Sequence, residues 1–113
     1  LNDAAMYNLG RYHLKITQNY KEMEKYLKMA IFWGNDLAML TLGSYHQGIT
    51  KNYVEMEKYY QMAIEKGNSD AMFNLGLYHQ NITRDYGKME KYLKMAMEKG
   101  NSDAMGAFEP GGN

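Results

Sequence analysis

The stretch MEKYLKMA fills residues 23–30 and returns letter for letter at 89–96, with MEKYYQMA between them at 56–63. The three copies begin 33 residues apart, and the register extends beyond the phrase itself. Aligned on Asn-x-x-Ala-Met, the chain divides without gaps into units 2–34, 35–67 and 68–100. A partial fourth, 101–113, begins NSDAM and departs as GAFEPGGN. A fixed period of this size marks a stacked repeat architecture, because one short unit cannot bury its own apolar face and its neighbours must cover it. The period also explains the 11 Met and 11 Tyr among 113 residues. Met returns at 6/39/72, 23/56/89 and 29/62/95, and Tyr at 12/45/78, 20/53/86 and 26/59/92.

Each unit reads as two helices. In the first, Ala5, Met6, Leu9, His13 and Ile16 recur at spacings of three and four, which places them on one helical face. In the second, Tyr20, Met23, Tyr26, Leu27, Ala30 and Ile31 do the same, and Met29 is assigned to the packing side as well. Asn2, Asn35 and Asn68 are suited to cap the first helices. Asn19 with Glu22, and Asn52 with Glu55, form capping-box patterns, whereas Asp85 with Lys88 keeps only the cap. Gly34, Gly67 and Gly100 stand where a left-handed residue ends a helix. Gly10, Gly43 and Gly76 fall inside helices, where a missing side chain permits close approach. Glu24–Lys28 and Glu90–Lys94 are expected i,i+4 ion pairs. At about 14 residues, each helix is about 21 Å long. The expectation is an all-α fold: a single repeat domain over 1–113, an α-solenoid of three antiparallel helix pairs plus a truncated fourth unit. In that last segment Gly106, Pro110, Gly111 and Gly112 argue against a completed helix, while Ala104, Met105 and Phe108 are candidates to cover the final apolar face.

Composition narrows the function classes. Formal net charge is zero, which removes the usual electrostatic case for a nucleic-acid or anionic-membrane binder and leaves open a local charged patch. No cysteine is present, so disulfide and thiolate chemistry are excluded and a reducing compartment fits. No run approaches the ~18 apolar residues of a spanning helix. The opening LNDAAMYNLG lacks a signal-peptide pattern and an initiator Met, so the chain reads as a fragment or processed product of an intracellular protein.

Nine positions recurring three times carry a family resemblance: Ala5, Leu9, Gly10, His13, Tyr20, Met23, Tyr26, Ala30 and Gly34, with their equivalents one and two periods on. Over residues 2–105 the chain resembles the Sel-one-like repeat, a relative of the tetratricopeptide repeat. Three departures are visible: a unit of 33 residues is shorter than usual, Met23 stands where the family favours Ala, and His13 stands where it favours Tyr. Short, Met-, Tyr-, Asn- and Lys-rich units of this kind are similar to those encoded by giant DNA viruses, which adds a viral particle to the expected locations. The resemblance implies a right-handed superhelix that serves as a scaffold for a protein or peptide partner, without catalysis and without a cofactor.

The candidate sites follow. His13, His46 and His79 are in register, but helix pairs stack about 10 Å apart while zinc ligands lie about 2.0–2.1 Å from the ion. Equivalent imidazoles therefore cannot share a metal, and a structural role is expected. No paired carboxylates, phosphate loop or nucleophile motif nominates an enzyme. By analogy with tetratricopeptide units, the inner surface is lined by first-helix columns off the packing face, and there the units differ. The columns read Tyr7/Leu40/Phe73, Arg11/Ser44/Leu77, Leu14/Gln47/Gln80 and Lys15/Gly48/Asn81, a mixed surface suited to a peptide or helix. Phe32 and Trp33, at positions where the other units carry Glu and Lys, form a second candidate contact. The expected function is a partner-binding scaffold through Tyr7, Arg11, Lys15, Phe32, Trp33, Leu40, Ser44, Phe73 and Leu77. The alternative is a self-assembling protein whose repeats stack end to end.

Overall fold

The computed structural model describes residues 2–107; Phe108, Pro110, Gly111 and Gly112 of the terminal segment lie outside the described residues. Among the described residues the chain is all-helical: α1 Asp3–Tyr12, α2 Tyr20–Phe32, α3 Asp36–Tyr45, α4 Tyr53–Glu65, α5 Ser69–Tyr78, α6 Tyr86–Glu98 and α7 Ser102–Ala107. The helices pack as adjacent pairs in an all-α repeat fold. The chain forms two compact units, one ending at Ala63 and the other starting at Ile64.

Contacts inside each pair run in opposite senses along the two helices, which makes the pairs antiparallel. Gly10 meets Leu27 while His13 stacks on Tyr26; Gly43 meets Tyr60 while His46 stacks on Tyr59; Gly76 meets Leu93 while His79 stacks on Tyr92. In the first unit the core gathers Met23, Leu27, Ala30, Ala38, Leu42 and Tyr59. In the second, Met72, Ala96 and Ala104 form a core against which Phe73, Met95 and Met97 pack. Ala104 is therefore a core residue of α7, whereas Met105 is exposed.

The helix ends explain the repeated polar letters. Asn35 Oδ1 accepts from the Ala38 N–H at 2.9 Å, and its Nδ2 donates to Asp3 Oδ2 at 2.9 Å. Asn101 does the same in the second unit, capping Ala104 and donating to Asp70 Oδ1 at 2.9 Å. One side chain thus caps its own helix and ties it to the first turn of the preceding repeat. At the other end of α2, the Asn35 N–H donates to Ala30 O and the Gly34 N–H to Ile31 O, with Gly34 at φ +85°. This is the Schellman arrangement, which needs a left-handed residue and so favours glycine. Gly100 and Asn101 close α6 in the same way.

Each first helix continues into one π-helical turn: His13–Thr17, His46–Thr50 and His79–Thr83. The i→i+5 winding changes the angular spacing of side chains. Ile16, assigned to the packing face, is therefore 70% exposed, and its counterparts Ile49 and Ile82 are also exposed. Met29 is another departure at the margin of its face, 40% exposed. The π turns end on Gln18, Lys51 and Arg84, all at left-handed φ between +54° and +61°. Non-glycine residues there carry backbone strain of about 1–2 kcal/mol, partly offset in a glycine variant by the entropy of the unfolded chain. Gln18→Gly, Lys51→Gly and Arg84→Gly are each expected to stabilise by about 0.5 kcal/mol, measurable as higher urea midpoints.

Two local expectations are corrected. Asn19 Oδ1 accepts from the Glu22 N–H at 3.2 Å, but the Asn19 N–H donates to Thr17 Oγ1 at 3.1 Å, not to Glu22. Thr50 and Thr83 replace the capping-box acid for Asn52 and Asp85 in the same way, so Asp85 caps α6 without a Glu at residue 88. Glu90 and Lys94 pair at 3.6 Å as expected, but in the first repeat the pair that forms is Glu22 with Lys25, at 3.8 Å.

Candidate functional site

The first unit carries a groove between α1, with its π turn, and α3. One stretch of about 350 Å³ is lined by Tyr7, Arg11, Leu14, Lys15, Leu40, Thr41 and Ser44. An adjoining stretch of about 270 Å³ is lined by Leu14, Lys15, Gln18, Tyr20, Ser44, Tyr45 and Ile49. The two share Leu14, Lys15 and Ser44, so they form one continuous depression. It brings together five of the residues nominated from sequence: Tyr7, Arg11, Lys15, Leu40 and Ser44.

Their environments differ. Tyr7 and Leu40 are half-buried and supply apolar wall, with Tyr7 also packed against the first core. Arg11 and Lys15 are exposed, and the Arg11 guanidinium lies 5.7 Å over the Tyr7 ring. Ser44 is exposed and lies 3.2 Å from the Tyr60 hydroxyl, which donates to Gln47 Oε1 at 2.6 Å. Tyr60 replaces the Leu27 and Leu93 of the other repeats and is fully buried. Its buried hydroxyl needs an acceptor, and Gln47 supplies one. Ser44 is thus peculiar to the repeat with the core tyrosine, whereas Gln47 is not, since Gln80 stands in a repeat whose core residue is Leu93.

The remaining nominated residues are not in this groove. Phe73 packs against the core of the second unit, and Leu77 is half-buried on α5. Phe32 and Trp33 meet edge to face at 5.2 Å at the end of α2, exposed by 79% and 49%. The sequence alone did not nominate Gln18, Tyr20, Thr41, Tyr45 and Ile49 as groove residues; Ile49 reaches it because the π turn swings it off the core face.

The three histidines are built into a repeated stack. Each Nδ1 sits 2.8–2.9 Å from the hydroxyl of the threonine four residues on. Each ring lies nearly parallel to the tyrosine of the second helix, at 5.8 Å for Tyr26, 6.0 Å for Tyr59 and 5.9 Å for Tyr92. On the tyrosines sit Lys25, Lys58 and Lys91, each Nζ 5.1–5.2 Å from the ring centroid. Burial pushes the His46 pKa down against the opposing pull of Glu24 and Glu55, holding the ring toward its neutral, stacking form. Burial pushes the Tyr59 and Tyr45 phenols up, with nearby carboxylates adding to the effect. No group of three or more His, Asp or Glu suited to a metal occurs among the described residues. None of the described helices is long and apolar enough to cross a membrane. No protein-family model matches the chain, and no curated protein matches it.

Proposed function

We propose that this chain is an interaction module of the Sel-one-like repeat kind, which holds a segment of a partner protein in the groove between α1 and α3. The observation that carries this reading is the convergence of Tyr7, Arg11, Leu14, Lys15, Leu40 and Ser44 on one depression. These belong to columns in which the repeats differ, whereas the letters that repeat build caps, stacks and core. Partner recognition is written in the differences, and the repeated letters hold them in place. The module works by binding alone, as a scaffold. Leu40→Asp places a charge on the apolar wall, and Ser44→Tyr fills the groove from an exposed position. Both variants are expected to lower partner affinity by about tenfold or more while far-ultraviolet circular dichroism stays unchanged. Unchanged affinity in both would refute the groove.

A second reading, self-association, draws on a different surface. On α1, Ala5, Leu9 and Tyr12 are exposed, although their counterparts Ala38 and Leu42, and Ala71, Leu75 and Tyr78, are buried. The α1 face thus carries the letters that α3 and α5 bury, and it suits a further helix pair of this type, a heterologous contact that propagates. Light scattering should then show mass rising with concentration, abolished by Leu9→Glu; a constant mass removes this reading.

A further inference from the structure

The groove has a charge signature that defines its occupant. Among the described residues, the charged side chains lining it are Arg11 and Lys15. Neither forms an ion pair with a carboxylate among the described residues. Arg11 lies 5.7 Å over the Tyr7 ring, a contact that leaves its charge without a carboxylate, just as Lys58 and Lys91 lie over tyrosines; Lys25 and Lys94, by contrast, pair with glutamates. Arg11 and Lys15 are also peculiar to the first repeat, since their columns hold Ser44 and Leu77, and Gly48 and Asn81, elsewhere. The chain as a whole carries no net charge, so this positive edge is a local feature beside an apolar wall.

We infer that the groove takes an acidic peptide segment in which carboxylates alternate with large apolar side chains. The inference rests on the reading of the groove as a binding site and specifies its ligand. Arg11 stands in the last turn of α1 and Lys15 in the π turn that follows it, so the two are about one helical turn, ~5 Å, apart along the axis. Alternate side chains of an extended peptide are about 6.6 Å apart. Two carboxylates at positions i and i+2 therefore sit over the two cations, and the side chain between them faces the α3 wall at Leu40. The cations are exposed, so they contribute specificity and association rate, and the apolar contacts contribute most of the affinity. A nucleic acid has the right charge but no counterpart for the Leu14 and Leu40 wall.

The test is selection from a phage-displayed library of random peptides of about 12 residues on the immobilised full chain. Affinities of the selected synthetic peptides are then measured by fluorescence anisotropy, beside a labelled single-stranded oligonucleotide. The expected peptides are rich in Asp and Glu alternating with Leu, Ile, Phe or Trp. Their affinity should fall at least about tenfold in Arg11→Glu/Lys15→Glu, a double change at exposed positions, and weaken with added salt. Neutral or basic peptides, a change within about twofold on charge reversal, no selection above background, or tighter binding of the oligonucleotide would each overturn the inference. If neutral peptides are selected and lose binding in Leu40→Asp and Ser44→Tyr, the groove stands and only the charge assignment falls. If neither substitution matters, both fall.

Discussion

Leu27→Ala is expected to destabilise the protein by about 3 kcal/mol, read from the urea midpoint, and Gly10→Ala is expected to change that value. Leu27 is fully buried in the first core. Truncation removes its transfer free energy and leaves a cavity. A Cβ at Gly10 would lie 2.4 Å from Leu27 Cδ2 and 2.6 Å from Cγ, with the Leu27 backbone N at 3.3 Å. The leucine cannot swing aside while its backbone is that close, so Gly10→Ala alone should cost about 2 kcal/mol by overpacking. In the double variant the new methyl occupies part of the space the leucine vacates. The combined cost should fall short of the sum of the single costs by at least about 1 kcal/mol. Strict additivity would mean that α1 and α2 do not meet at this point.

Gly43→Ala is the second large effect, about 2–3 kcal/mol. Its Cβ would stand 2.4 Å from Tyr60 Cδ1 and 2.5 Å from Cε1. The Tyr60 ring is fully buried, and its hydroxyl is held by Gln47 at 2.6 Å, so a small rotation breaks a hydrogen bond or strains a rotamer. Gly48→Ala is the control: nothing lies within 4 Å of its added Cβ, and the exchange should be neutral or mildly stabilising. Equal costs at the two positions would contradict the close approach of α3 and α4.

The period, the helix pairs, the asparagine caps, the glycine stops and the glycine contacts were legible because each depends on a local letter at a fixed offset. What escaped involved longer reach or altered winding. The link from Asn35 to Asp3 spans a whole repeat, and its letters are already accounted for by capping alone. The π turns have no signature in a periodicity based on 3.6 residues, so Ile16 was placed inward and Thr17 had no role. Yet the spacing His13-x-x-x-Thr17 was visible: a threonine hydroxyl four residues from an imidazole both steadies the ring and caps the next helix. A search for partners restricted to metal ligands passes over it. In the groove, the five residues on α1, its π turn and α3 were legible from their columns. Phe73 was not, because its column lines the groove at Tyr7 and Leu40 but packs against a core at Phe73.

Taken as a binding module, the protein separates its tasks by position. Buried Met, Leu, Tyr and Ala at repeating positions stabilise the helix pairs, and differing residues on α1, its π turn and α3 give the groove its chemistry. The most direct measurement is amide chemical-shift mapping of isotopically labelled protein titrated with the tightest selected peptide. The largest shifts should fall on residues 7–18 and 40–49, with the indole resonance of Trp33 unmoved. Shifts centred on Phe32 and Trp33, or spread over α5 and α6 with none on α1, would contradict a groove between α1 and α3.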